Sequence, residues 1–91
     1  MHQTQKLQLR RKAHHLQPVI ILGQQGLTPQ VHTAIEEALV AHELIKIRVN
    51  AEDKAKRQRF IQEILTQHHV ECIQSIGHLV VVYRKSEKSE R

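Results

Sequence analysis

Gly23-Gln24-Gln25-Gly26, followed at once by Leu27-Thr28-Pro29, places a backbone-exposing turn directly before a helix start. The chemistry this allows is anion binding by the main chain. Gly26 permits a positive φ or the close approach of a ligand, Thr28 is an N-cap, and Pro29 suits the first helical position. Free N–H groups and roughly half a positive charge would then face outward at that helix start, where a phosphate binds without a side-chain cation. A lone GxxG is also what a plain strand-to-helix turn looks like, so the rest of the chain has to decide.

The charge distribution agrees with a polyanionic partner. The 91 residues carry 14 Lys and Arg against 9 Asp and Glu, a formal charge of +5, with a pI near 9.8, as expected of a protein that meets nucleic acid. Residues 1–15 hold Lys6, Arg10, Arg11 and Lys12 with no acid, and His14 follows on the same helical arc. In Leu44–Val49, alternation buries Ile45, Ile47 and Val49 and turns Lys46 and Arg48 to the other side. Lys54, Lys56, Arg57 and Arg59 form a further cluster, but Glu52 and Asp53 stand beside it, and local helix pairing and solubility explain it more economically. Arg84 closes the last strand, where it would extend the basic surface.

Other classes find less support. Phe60 and Tyr83 are the only aromatic residues besides histidine, and Phe60 lies on an apolar helix stripe, so base stacking of the kind used by single-strand platforms is not the main source of affinity. Phosphate and shape readout fits better. The eight histidines include adjacent pairs, His14-His15 and His68-His69, which point different ways on a helix; no metal and no cofactor is expected. An RNA-cleaving pair such as His14 with His78, or His42 with Glu36, has suitable residue types but no fixed spacing, and the chain is not expected to be an enzyme. A single cysteine, Cys72, excludes an internal disulfide and points to a reducing, cytoplasmic setting. The longest apolar runs fall far below the ~20 residues of a membrane span. The chain is expected to act as a monomer.

The elements that position these residues follow from periodicity. A helix spans about Thr4 to Leu16, with Leu9, Ala13 and Leu16 on its apolar side. Pro18 ends it, and Val19–Leu22 reads as a strand buried on both faces. A second helix runs from Pro29 to about His42, then the strand Leu44–Val49, then a third helix through about Gln67 whose stripe is Phe60, Ile61, Ile64 and Leu65. Glu71–Ile76 and Leu79–Arg84 form a hairpin through Gly77-His78. The order α-β-α-β-α-β-β predicts an α/β domain (α+β two-layer type) with a four-stranded mixed sheet, the first three strands running parallel. Residues 1–85 are expected to form one domain, and 86–91 a disordered charged tail.

Four spaced segments also carry a family resemblance. Ala13-His14 with Leu16 and Pro18, the run Gly23–Thr28, Ala41-His42-Glu43-Leu44-Ile45-Lys46, and Ile76-Gly77-His78 leading into Tyr83-Arg84 together resemble the CRM domain, the chloroplast RNA splicing and ribosome maturation module, in its stand-alone bacterial form. The resemblance implies a fold similar to the C-terminal domain of translation initiation factor three and a KH-like glycine loop. It also implies RNA as the partner, specifically precursor large-subunit ribosomal RNA within a pre-ribosomal particle. The chain departs from many members by having glutamines inside the loop, which shifts weight to backbone N–H groups and neighbouring cations. The RNA-binding residues expected on this reading are Gly23, Gln24, Gln25, Gly26, Thr28, Arg10, Arg11, Lys12, His14, Lys46, Arg48 and Arg84. Gly26→Asp would then weaken RNA binding and leave the fold intact. The rival reading is an adaptor that uses the same basic surface to bind an acidic ribosomal or assembly protein.

Overall fold

Helix starts and stops are set locally, and the sheet then orders what they deliver. The computed structural model describes residues 2–86. Its elements are α1 (Gln3–Ala13), β1 (Ile20–Leu22), α2 (Pro29–His42), β2 (Leu44–Val49), α3 (Lys54–His68), β3 (Glu71–Ile76) and β4 (Leu79–Tyr83). Thr28 caps α2 by accepting the Val31 N–H at 3.2 Å, and Asp53 caps α3 by accepting the Ala55 N–H at 2.8 Å. Helix α1 stops earlier than its apolar spacing predicts. His15 and Leu16 donate three residues back, to Lys12 and Ala13, so a tight last turn still delivers Leu16 to the sheet. Gly77 takes φ 57° at the first position of the β3–β4 turn, which a two-residue hairpin of this hand requires.

The sheet order is β1-β2-β4-β3. β1 and β2 are parallel, while β4 runs antiparallel to both β2 and β3. The first three strands therefore share a direction, as the crossover rule demands, with the last strand inserted between the second and third. A register shift between Cys72 and Gln74 interrupts β3. Helices α2 and α3 cover one face, over a core that includes Leu22, Ile35, Leu39, Ile45, Ile47, Ile64, Val80 and Val82. Helix α1 covers part of the other face, where Ala13 meets Ile73 and Val81, with Leu9, Leu16, Leu44 and Tyr83 around them.

One expectation is overturned here. The strand Val19–Leu22 is buried on a single face: Ile20 and Leu22 enter the core, but Ile21 is 61% exposed and Val19 51%. β1 is an edge strand, and α1 lies over the β2, β3 and β4 side of the sheet, so among the described residues nothing covers the outer face of β1. Residues 87–91 of the expected tail lie outside the described residues; Ser86 donates its N–H to Glu43 Oε2 at 2.7 Å.

A polar cluster closes the far end of the α2–α3 layer. Arg84 donates to both carboxylate oxygens of Glu36, at 2.9 and 3.0 Å, and to the His68 carbonyl at 3.0 Å. His68, only 3% exposed, places Nδ1 2.6 Å from Glu36 Oε2 and Nε2 2.8 Å from His32 Nδ1. A carboxylate can only accept, so His68 donates through Nδ1, which leaves Nε2 of a neutral ring to accept from His32. His32 Nε2 in turn lies 3.4 Å from Glu63 Oε2. The cluster joins α2, α3 and the residue after β4.

The Arg84 hydrogen bonds hold the Glu36 carboxyl down at about 2, from an ordinary 4.5, against the opposing effect of burial and with further help from His68. A carboxyl depressed on folding stabilises the native state above its unfolded value and loses that contribution as pH falls through its folded value. The window is therefore pH 4.5 down to 2. The Glu36 side chain is 46% exposed, so solvent screening reduces the contribution to on the order of 1 kcal/mol. Urea unfolding at pH 7 and at pH 3 checks this. Glu36→Gln should lower stability more at pH 7 than at pH 3, and an equal loss at both would contradict it.

Candidate nucleic-acid interface

The glycine turn leaves β1 at its carboxyl end and is closed by the Gly26 N–H donating to the Gly23 carbonyl at 3.1 Å. Gly26 sits at φ 69° and is buried, while Gly23, Gln24 and Gln25 are exposed. The N–H groups of Gln24, Gln25 and Leu27 have no hydrogen-bond partner among the described residues. The helix start contributes less than the sequence suggests. Pro29 has no N–H, the Val31 N–H is taken by the Thr28 hydroxyl, and the His32 N–H by the Thr28 carbonyl at 3.0 Å. Thr28 thus serves as a cap, and of the first-turn amides only the Gln30 N–H is left without a partner among the described residues.

Facing the loop, the Asn50–Asp53 segment and the first turns of α3 complete a groove of about 670 Å³, bordered by Gly23, Gln24, Asn50, Lys56 and Phe60. The Asn50 N–H donates to the Leu22 carbonyl at 3.1 Å and so fixes this wall against the base of the turn. Phe60 lies directly under Gly26: a Cβ added there would come within 2.7 and 2.8 Å of two ring carbons. The close approach that the glycine permits is therefore made by Phe60. Lys56 Nζ stands 5.9 Å from the centre of the same ring, within cation–π range.

This groove changes the standing of the second basic cluster. Lys54, Lys56 and Arg59 make no ion pair among the described residues, since Asp53 is occupied as the α3 cap and Arg57 reaches the Ala51 carbonyl at 3.4 Å. Local pairing does not account for the cluster. The sequence shows Lys56 as part of a charge cluster, and only the Phe60–Gly26 contact ties it to the loop, through its position four residues before Phe60.

The remaining cations divide by face. Lys46 and Arg48 project from the face of β2 that α1 only partly covers; Lys46 is half-buried and Arg48 exposed, and Arg48 is the register partner of Ile21 on β1 and of Leu79 on β4. Lys12, on the flank of α1 nearest β2, borders the same groove as Lys46. Arg11 and His14 are exposed on α1. Arg10 is on the opposite flank, where its Nε–H donates to the Ile73 carbonyl at 3.1 Å and ties α1 to β3. Arg84 is half-buried, and its guanidinium is engaged by the Glu36 carboxylate and the His68 carbonyl. The carboxylate of Glu36 is engaged by His68 rather than His42, and His78 Nδ1–H donates to the Val49 carbonyl at 3.1 Å, so neither pair considered for catalysis is assembled. Among the described residues no group of three or more His, Cys, Asp or Glu is placed to hold a metal, and no helix is long and apolar enough to cross a membrane.

With this geometry in place, comparison with known proteins is decisive for family. The CRS1 / YhbY (CRM) domain model matches residues 1–84. The chain belongs to the CRM family. An RNA-binding protein of Haemophilus influenzae is 44% identical over 86 residues, covering 94% of this chain and 87% of that one. A probable RNA-binding protein of Pseudomonas aeruginosa is 38% identical over 89 residues, covering 98% and 86%. The solution structure of a Staphylococcus aureus protein described as a candidate RNA-binding protein superposes with a TM-score of 0.81 at 28% identity, over 96% of this chain and 91% of that one. CRM-domain RNA-binding proteins are a noncatalytic family.

The two loop glycines should respond differently to substitution. Gly26→Ala strains a positive φ and drives a methyl into Phe60, and should cost about 1–3 kcal/mol in thermal or urea unfolding. Gly23→Ala has open space around it and should stay within about 0.5 kcal/mol of wild type. Gly26→Asp is for the same reason not a fold-preserving probe of the loop.

Proposed function

We propose that this CRM domain, residues 1–85, is a noncatalytic RNA-binding protein that associates with precursor large ribosomal subunits and assists their assembly. The observation that carries RNA binding is the loop itself: three unpartnered backbone N–H groups at Gln24, Gln25 and Leu27 beside an unpaired Lys56, in a chain of the CRM family. A phosphate received there accepts from the main chain, and Lys56 supplies the charge that the glutamines of the loop lack. Lys46 and Arg48 extend the contact along the face of β2 that α1 only partly covers, and Lys12, Arg11 and His14 extend it onto α1. Relatives described as RNA-binding proteins support the partner class. The ribosomal setting is drawn from the resemblance of the four motif segments to stand-alone bacterial members. Such a surface binds phosphate and shape, so its affinity is salt-dependent and only modestly selective for sequence.

Gly23→Asp tests the loop, because it places a carboxylate beside the free amides where a side chain has room. It should weaken RNA binding at least tenfold with unchanged thermal stability; unchanged affinity would remove the loop from the site. Lys56→Ala should reduce the slope of log affinity against log salt by about 0.7–0.9, the value for one phosphate contact. Cosedimentation of the protein with precursor large subunits from growing cells, at low salt and not at high salt, with large-subunit RNA crosslinked to it, is the expected result for the cellular role. Binding to a purified assembly protein without any RNA would select the adaptor reading instead.

A further inference from the structure

Helix α1 and the uncovered flank of the sheet enclose a second groove, of about 470 Å³, at the opposite end of β2 from the glycine loop. Its volume falls in the range of about 300–1,000 Å³ typical of small-ligand sites. Leu9 and Leu16 form the α1 wall, Val19 and Leu44 line the sheet side, and Tyr83 closes one end. Lys12 and Lys46 stand at its rim, and neither ammonium makes an ion pair among the described residues. Glu43 also borders the groove, but its carboxylate accepts the Ser86 N–H.

A largely apolar groove lined by one aromatic ring and by two lysines without an ion pair among the described residues matches a flat, weakly polar body that carries an anion. We propose that this groove takes one unstacked nucleotide of the bound RNA, its base against Leu16, Leu44 and Tyr83 and its phosphate between Lys12 and Lys46. The inference rests on the RNA-binding reading above. Charge favours a nucleotide over an apolar peptide, and so does continuity. Lys46 and Arg48 lie two residues apart on one strand face, about 6.7 Å, and Arg48 pairs in register with Ile21, two residues before Gly23. A strand anchored at the loop and followed along β1 and β2 therefore reaches this groove. A single tyrosine supports a single base, which agrees with the scarcity of aromatic residues elsewhere on the protein.

Titration of the methyl- and amide-labelled protein with adenosine 5′-monophosphate, inorganic phosphate and a short single-stranded RNA, followed by NMR, tests the proposal. Adenosine monophosphate should move the Leu16 and Leu44 methyls and the Tyr83 ring, while inorganic phosphate leaves them in place. Tyr83→Leu, which keeps the groove apolar but removes its aromatic side, should lower RNA affinity about tenfold while RNA still moves the Gln24 and Gln25 amides. Groove signals that ignore adenosine monophosphate, or that respond instead to a poly-glutamate peptide, would overturn the nucleotide assignment. RNA that moves the loop amides alone would overturn the groove and spare the RNA-binding reading. RNA that moves neither set would overturn both.

Discussion

A single helix is too narrow to cover a four-stranded sheet, and the rest of this molecule follows from that mismatch. Four strands spaced about 4.8 Å apart make a surface close to 19 Å wide, while a helix with its side chains spans about 10–12 Å. On one face α2 and α3 lie side by side, and the core beneath them is closed. On the other face α1 stands alone over the β2, β3 and β4 side. The outer face of β1 and much of β2 stays in water, and there the chain places Lys46 and Arg48 together with the exposed Ile21. The uneven number of helices decides which surface of the sheet is left open.

The glycine loop is held from beneath by the same layer that forms the core. Phe60 belongs to the periphery of the main cluster and also lies against Gly26, so the loop conformation is coupled to the seating of α3. That contact has two effects. It holds the free amides of Gln24, Gln25 and Leu27 in a fixed turn, and it brings Lys56 to the loop through the ring they share.

At the opposite end, Arg84 does for the fold what Phe60 does for the loop. Its bidentate pair with Glu36 and its bond to the His68 carbonyl join the chain after β4 to α2 and to the end of α3. Two of the left-handed residues of the chain, Glu43 and His69, lie beside this region as helix stops without glycine. Such backbone is unfavourable for residues with a Cβ and persists where surrounding contacts over-determine it; here Arg84 N–H donates to the Glu43 carbonyl and Ser86 N–H to the Glu43 carboxylate. Positive charge at the end of the last strand is consumed in closing the structure.

The sequence by itself determined the element order, the apolar faces of α2 and β2, the Thr28–Pro29 helix start, the Gly77 hairpin and the family, because each rests on local periodicity, capping or spaced motifs. Tertiary structure alone decided what covers each face and what each cation meets. Val19–Leu22 has the apolar run of a fully buried strand, yet its place at the sheet edge leaves one side open. Arg84 and Lys56 both meet neighbours that their positions do not suggest: the first finds Glu36, 48 residues away along the chain, and the second shares the Phe60 ring with a loop some thirty residues before it. The physical reason is range. Hydrogen-bonded turns and amphipathic stripes are written within a few residues, whereas the partner of a long charged side chain is settled only when distant elements are packed together.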